Sequence, residues 1–406
     1  MAVATPTPAR RHPRWREGAL GDPVLWSLIA GGTILRTVVA ATTHGLPFDV
    51  HSWQLLRSTF AASPLHVYSA INAGGNFHWP YPPGFFPLML AASGVADLVG
   101  GAFTYIIRVP SILADAALAW LVWIGLRDAT RGKRLAAVAL VAVGPVFVTI
   151  SAYSAQIDSV AILPAVGALL VWERAAADRR AWIAGLLIGL AASIKTVPIV
   201  MVLALLPSVR SHREAGILIG CALAVPLVTV LPFLIADPSG LIGLKRYAGS
   251  PGLGGLSLVL QPDLAQRWLT QWVNPTALTR WLFIDHAGPY NALTMAAFGA
   301  WALRFRPSPR TAAALLWLVV LAFGSGFFFQ YLVWGLPFFL LAGFVRATAV
   351  LQALVTAPMI LYYLGPWHPG DTGVVHVYVP LMLLIWATWA LAAFLLARRV
   401  VLTGTA

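Results

Sequence analysis

The chain alternates between long apolar runs and short polar connectors, and the runs carry few charges. The first covers residues 24–43. Others cover 105–126, 135–151, 158–172, 181–194, 196–208, 215–236, 289–303, 311–328, 330–345, 347–365 and 377–397. A spanning helix needs about 20 apolar residues, and lipid leaves an open chain no alternative to the helix, because every backbone polar group must be satisfied within the segment. The pattern predicts an all-α, polytopic membrane bundle of about 12 spans. The runs 181–194 and 196–208 are short, and are predicted to cross and return around a break at "SIKTVP", where Pro198 removes a helix hydrogen bond. Residues 84–101 are predicted as an outward-facing interfacial helix. Counting them as a span would turn every later basic connector to the other side.

Composition agrees with a membrane chain: 59% of residues are hydrophobic and 10% charged, against about 25% charged in soluble domains. The net charge of +13 does not point to nucleic acid, because the basic residues sit in connectors between apolar runs. These are the arm with Arg10, Arg11, Arg14 and Arg16, then "RDATRGKR" (127–134), "ERAAADRR" (173–180), "SVRSHRE" (208–214), "RFRPSPR" (304–310), Arg346 and the final "ARR". By the positive-inside rule they lie in the cytoplasm with both termini. The connectors 44–83, 152–157, 237–288 and 366–376 then face outward. The first run is long and lacks a cleavage motif before "HGLPFDV", so it reads as a permanent span. The organisation expected is a basic arm (1–23), a membrane module (24–236) with an outer loop (44–104), a second outer loop (237–288) and C-terminal membrane helices (289–406). The single cysteine, Cys221, lies within a run and reads as a small buried apolar residue.

Polar groups at the outward ends of spans are the candidates for chemistry, since charges near lipid are costly. Asp49, in "FDVHSW" just after the first span, reads either as a helix cap or as a general base at the membrane surface. His51 and Trp53 accompany it. "HWPYPPG" (78–84) combines His78, Trp79 and Tyr81 with stiffening prolines, which suits either a sugar site or an interfacial aromatic belt. "YSAQIDS" (153–159) holds Gln156 and Asp158 in a turn, where Asp158 reads equally as a cap. Lys195 beside the break reads as an anion ligand or as a snorkelling side chain. Arg36, Arg108 and Asp115 lie in or beside spans, as structural pairs or as site residues. Lys245 and Arg246 lie in a Gly-rich outer loop, "GLKRYAGSPGLGGLS" (243–257), a kind of loop that can approach phosphate closely. Metal-ligand spacing, GxSxG, Walker and GxGxxG patterns are not found. No metal or cofactor is expected, and a nucleotide is not the expected direct substrate.

Asp49 within "D-x-H-S-W", followed about thirty residues later by "YPPG", resembles the GT-C glycosyltransferases, integral membrane enzymes that use polyprenyl-phosphate sugars. The likeness is to dolichyl-phosphate-glucose transferases, GPI mannosyltransferases and bacterial polyprenyl-phosphate-mannose transferases. "RVPSILADAAL" (108–118), "AQIDS", "ASIKTVP" and "QYLVWGLP" (330–337) follow in family order. The match is good over roughly residues 24–210 and looser beyond. Some members carry two adjacent acids in the first outer loop, whereas this chain has Asp49 alone before Asp97. If two acids are needed, Asp158 is the second.

The resemblance implies transfer of a hexose, mannose or glucose foremost, from a polyprenyl-phosphate sugar to a glycan or lipid acceptor on the outer face of the cytoplasmic membrane. Asp49 would act as base. Lys195, Arg246 and Arg108 would stabilise the leaving phosphate, and His51, Trp53, His78, Trp79, Tyr81, Gln156, Asp158 and Lys245 would complete the site. The alternative is a lipid-linked-sugar flippase or other secondary transporter. That reading places charges along a mid-membrane pathway, whereas the candidates here gather at one face. A scaffold would leave the order of Asp, His-Trp and Tyr-Pro-Pro unexplained.

Overall fold

A computed structural model describes residues 22–72, 78–244, 247, 249–365 and 373–403. Those residues form helices and connectors, with no β-strand among them. The principal helices are α1 (Pro23–Thr42), α2 (Pro47–Ala62), α3 (Phe86–Val99), α4 (Val109–Gly125), α5 (Arg131–Ala142), α6 (Asp158–Arg174), α7 (Ala177–Ile194), α8 (His212–Ala236), α9 (Ala287–Phe305), α10 (Pro309–Phe323), α11 (Tyr331–Leu341), α12 (Val345–Leu364) and α13 (Gly373–Thr403).

Among the described residues six helical segments are long and apolar enough to cross a membrane: α1, Phe103–Gly125 with α4, Arg131–Tyr153 with α5, α8, α12 and α13. Each of the other predicted spans falls on helix as well, although α6, α10 and α11 have only 17, 15 and 11 residues. The short predicted pair appears as α7 and Val197–Ser208, and the chain leaves the helix at Lys195, which is extended (φ −138°, ψ 135°). Residues 84–101 contain α3.

Local sequence explains the helix starts. Asp22 Oδ1 accepts from Val24 N and Leu25 N at 3.1 and 3.3 Å, and Pro23 occupies the first turn, where it gives up no hydrogen bond. Ser211 and Ser308 cap α8 and α10 in the same way. Prolines 164, 226, 232, 337, 358 and 380 lie inside helices, as neighbours in a membrane bundle allow. Gly185 and Gly189, four apart on α7, admit the α8 backbone. A Cβ at Gly185 would lie 2.7 Å from both Leu218 O and Cys221 Cβ, the small-residue contact by which membrane helices approach. Cys221 is thus a packing residue with no disulfide. The interior is filled by α4, α6, α10 and α11, while α8 turns Leu227, Val228 and Ile235 outward, as a lipid-facing helix would.

Basic connectors far apart in sequence gather at one end of the bundle. Arg131 pairs with Asp22 at 2.7 Å, Arg174 donates to Ile124 O at 2.6 Å, and Arg310 holds Glu173 at 2.8 Å together with the carbonyls of Gly125 and Leu341. The starts of α1, α5 and α10 therefore meet the ends of α4, α6 and α11. The candidate site forms at the opposite end, where α1 and α12 finish and α6 and α11 begin.

Candidate active site

The chain leaves α1 through a tight turn at "HGLPFD". Gly45 has φ +78°, and a Cβ there would lie 2.6 Å from Tyr153 O and 2.7 Å from Arg108 Nη2. Both the left-handed backbone and the close approach demand glycine. Arg108, fully buried, donates to the carbonyls of Ala40, Thr43 and His44 at 2.9–3.2 Å, and so satisfies the end of α1. With this corner fixed, α2 starts at Pro47. Its N-cap is Leu46, so Asp49 is not the cap; it lies in the first turn. A second clamp ties α2 to the turn 153–157, because Trp53 Nε1 donates to Ala155 O at 3.0 Å.

That turn is unusual in its backbone. Thr149–Tyr153 is a π-helix, and Ala155 has φ +58°, which is rare for a residue with a side chain. The combination reverses the chain within a buried corner and brings the Gln156 amide into hydrogen-bonding reach of Asp49. The segment 78–81 is held from behind. Asn72 bonds both the N–H and the carbonyl of Trp79, at 3.1 and 3.2 Å, and Tyr68 Oη donates to Tyr81 O at 3.0 Å. Trp79 stacks edge-on against Trp53 and Tyr81.

These segments enclose a cavity of about 780 Å³. Asp49, Ser52 and Trp53 come from α2, His78, Trp79 and Tyr81 from the following connector, and Gln156 from the turn. The outer loop adds Tyr247, Ser250, Arg267, Trp268 and Trp272, and the C-terminal part adds Phe328, Gln330, Tyr362 and Tyr363. Asp49 opens onto the cavity, yet protein surrounds it. Burial pushes its carboxyl up to about 7, against the opposing pull of the Gln156 amide and the charge of Lys195. His78 stacks on Phe48 and bonds Ser52 Oγ at 2.9 Å; burial and its neighbour His51 hold its pKa below the usual imidazole range, so it is neutral at neutral pH. Burial raises Tyr81 and Tyr247 well above the ordinary phenol value, and both stay protonated. The wall thus joins one basic carboxylate to several neutral donors.

Six of the candidate residues read from the sequence line this cavity: Asp49, Trp53, His78, Trp79, Tyr81 and Gln156. His51 is exposed beside it, edge-on to His78 at 5.4 Å. Asp158 and Lys195 lie behind the wall and pair with each other. Lys195 Nζ reaches both carboxylate oxygens at 2.8 and 2.9 Å, Trp334 Nε1 donates to the same carboxylate at 2.6 Å, and the ammonium sits 4.3 Å from the Tyr81 ring centre. Arg108 is engaged by backbone carbonyls, not by the cavity. Arg36 and Asp115 form a buried pair at 2.7 Å, with Arg36 also donating to the Val141 and Ala142 carbonyls. Lys245 and Arg246 lie outside the described residues, although Tyr247 beside them lines the wall. Among the described residues no three His, Cys, Asp or Glu side chains gather into a metal site.

Arg267, Trp268, Trp272, Gln330, Tyr362 and Tyr363 were not among the sequence candidates. The available signal was the aromatic density of "QRWLTQW" in a polar loop. Such a wall suits carbohydrate, since aromatic faces cover the apolar side of a sugar ring while amide, carboxylate and imidazole groups take its hydroxyls. Fold and cavity together fit a membrane-embedded enzyme that handles sugars. The family model of glycosyltransferase family 87 matches residues 79–325, more than half of the chain, and the chain belongs to that family. It is a membrane glycosyltransferase. No curated protein sequence matches it. The family match begins at Trp79, so Asp49 and α2 precede it, and Gln330, Tyr362 and Tyr363 follow it.

Proposed function

We propose that the protein is a GT-C-type enzyme that transfers a hexose, mannose or glucose, from a polyprenyl-phosphate sugar to a glycan or lipid acceptor, with Asp49 as general base. The observation that carries this reading is Asp49 itself, set in the wall of a sugar-sized cavity with its pKa raised to about 7. A base works best when its pKa is near the working pH. The acceptor hydroxyl gives its proton to the Asp49 carboxylate as its oxygen bonds to the anomeric carbon. The bond from that carbon to phosphate breaks, and the electron pair leaves with the polyprenyl phosphate. Gln156 orients the carboxylate, His78 and Tyr81 take sugar hydroxyls, and Trp53 and Trp79 hold the shape of the wall.

The basic connectors at the far end of the bundle support a cytoplasmic location for that end and for both termini. The cavity then faces the outside of the cytoplasmic membrane. A donor activated beforehand on a lipid suits that face, since the sequence carries no nucleotide motif.

The test uses purified protein in lipid vesicles with polyprenyl-phosphate-mannose or polyprenyl-phosphate-glucose and a membrane lipid extract as acceptor, read by mass spectrometry. Asp49→Asn keeps the size of the side chain but not its basicity, and should lower transfer by about 10²–10⁴. A flippase would move donor without making a new glycosidic bond. Transfer at the wild-type rate by a folded Asp49→Asn protein would remove Asp49 from the reaction.

A further inference from the structure

We propose that Arg267, backed by Trp268 and Trp272, is the side chain that binds the phosphate of the lipid-linked donor. The proposal rests on the donor class given above, and assigns the anion site within it.

A phosphate leaving group needs a cation that is not already neutralised. Among the described residues, the other cations near the cavity fail this requirement one by one. Lys195 is buried against both oxygens of Asp158, Arg36 is held by Asp115, and Arg108 spends its fork on three carbonyls. Among the described residues Arg267 is the one Lys or Arg in the cavity wall, and no carboxylate pairs with it.

Its setting is built rather than incidental. The guanidinium lies 4.0 Å from the Trp272 ring centre and 5.7 Å from that of Trp268. Stacking of this kind fixes the plane of the fork while leaving its N–H edge open. Trp268 is anchored in turn, since its Nε1 donates to Pro251 O at 2.8 Å. This joins the arginine to the 249–251 stretch of the same wall. There Ser250 lines the cavity, 1% exposed, with a hydroxyl that has no partner among the described residues. A half-buried cation and an unsatisfied hydroxyl in one lined cavity are complementary to a dianion. Burial also lowers the Arg267 pKa, the expected consequence of desolvation without a counter-ion. A guanidinium binds phosphate through two parallel N–H···O bonds. As the sugar departs, the phosphate gains a second negative charge, and the same fork holds it more strongly.

The experiment measures binding of undecaprenyl monophosphate, undecaprenol and inorganic phosphate to wild-type, Arg267→Gln and Arg267→Lys proteins in nanodiscs. Equal melting temperatures serve as the check on folding. The expected result is that Arg267→Gln weakens undecaprenyl monophosphate roughly ten- to a hundredfold, the loss of one charge-assisted contact. Arg267→Lys should lie between, with the charge kept and the fork lost, and should stand in if Arg267→Gln does not fold. Undecaprenol should bind wild type and variants equally. Unchanged affinity of a folded Arg267→Gln for the lipid phosphate overturns the assignment. So does an equal loss for undecaprenol, which would make Arg267 a shaping residue. Inorganic phosphate binding as tightly as the lipid form would make the site one for free phosphate. A wild-type protein that binds no lipid phosphate would sink the donor class itself, a result separable from failure of Arg267 alone.

Discussion

Replacing Lys195 with methionine should unfold the protein more readily without first touching donor binding. Lys195 and Asp158 are 3% and 0% exposed, and their contacts of 2.8 and 2.9 Å use both carboxylate oxygens. Lys195→Met leaves the carboxylate in the interior with Trp334 Nε1 as its remaining side-chain donor. Breaking one partner of a buried pair costs about 3–5 kcal/mol, mostly because the other charge is stranded. For a chain of 406 residues that is a fall in apparent melting temperature of roughly 3–6 °C. Asp158→Asn in the same background removes the stranded charge and should recover about half of the loss. The assay is thermal unfolding followed by tryptophan fluorescence in detergent, with wild type, both single variants and the double variant compared as a cycle. Additive single effects would refute the reasoning, as would a Lys195→Met protein that melts with wild type. If that stable variant also showed a raised donor KM, Lys195 would return to the role of phosphate ligand.

Three further outcomes follow from the same geometry. As the proposed base, Asp49 would accept a proton only when ionised, so kcat/KM should rise with pH through a midpoint near 7, the value to which burial raises its pKa. Because that pKa lies above its unfolded value of about 4, the folded protein holds the Asp49 proton between about pH 4 and 7 while the unfolded chain does not. The stability this contributes is full below about pH 4 and is lost as pH rises through 7, so Asp49→Asn should melt above wild type at pH 8 and with it near pH 4. Gly45→Ala places a methyl 2.6 Å from Tyr153 O at φ +78°; the backbone strain alone is about 1–2 kcal/mol, and a lowered melting temperature with reduced transfer is the expected reading.

Much of the architecture was legible because lipid imposes one solution. The run read as 24–43 is Pro23–Thr42, and the break read at "SIKTVP" is where α7 ends at Ile194. The polar cluster at the outer ends of spans was legible too, since Asp49, Gln156 and the His78–Tyr81 segment stand out against apolar flanks and share a cavity. Geometry between distant segments was not. Lys195 reads as an anion ligand from its neighbours in sequence, and its counter-ion 37 residues earlier appears only in three dimensions. Nothing about alanine signals φ +58° at Ala155; tertiary contacts impose it. Arg108 reads either as a structural or as a site residue, and only the structure shows it closing the end of α1. The second half of the wall, from Tyr247 to Tyr363, comes from loops and helix ends whose aromatic residues look like any interfacial belt.

The cavity draws on both ends of the polypeptide. Asp49 is made early, and Tyr362 and Tyr363 arrive roughly three hundred residues later. At about 5–20 residues per second, synthesis leaves the first wall waiting on the order of 15–60 s for the last. Throughout that interval the membrane holds a half-built chamber, with Asp49 beside lipid or water and no ring of aromatic residues to enclose a sugar. A nascent or truncated chain therefore lacks the complete wall. The cavity is complete only once α12 packs against α5, α11 and α13, and the order of synthesis itself becomes a safeguard on the reaction.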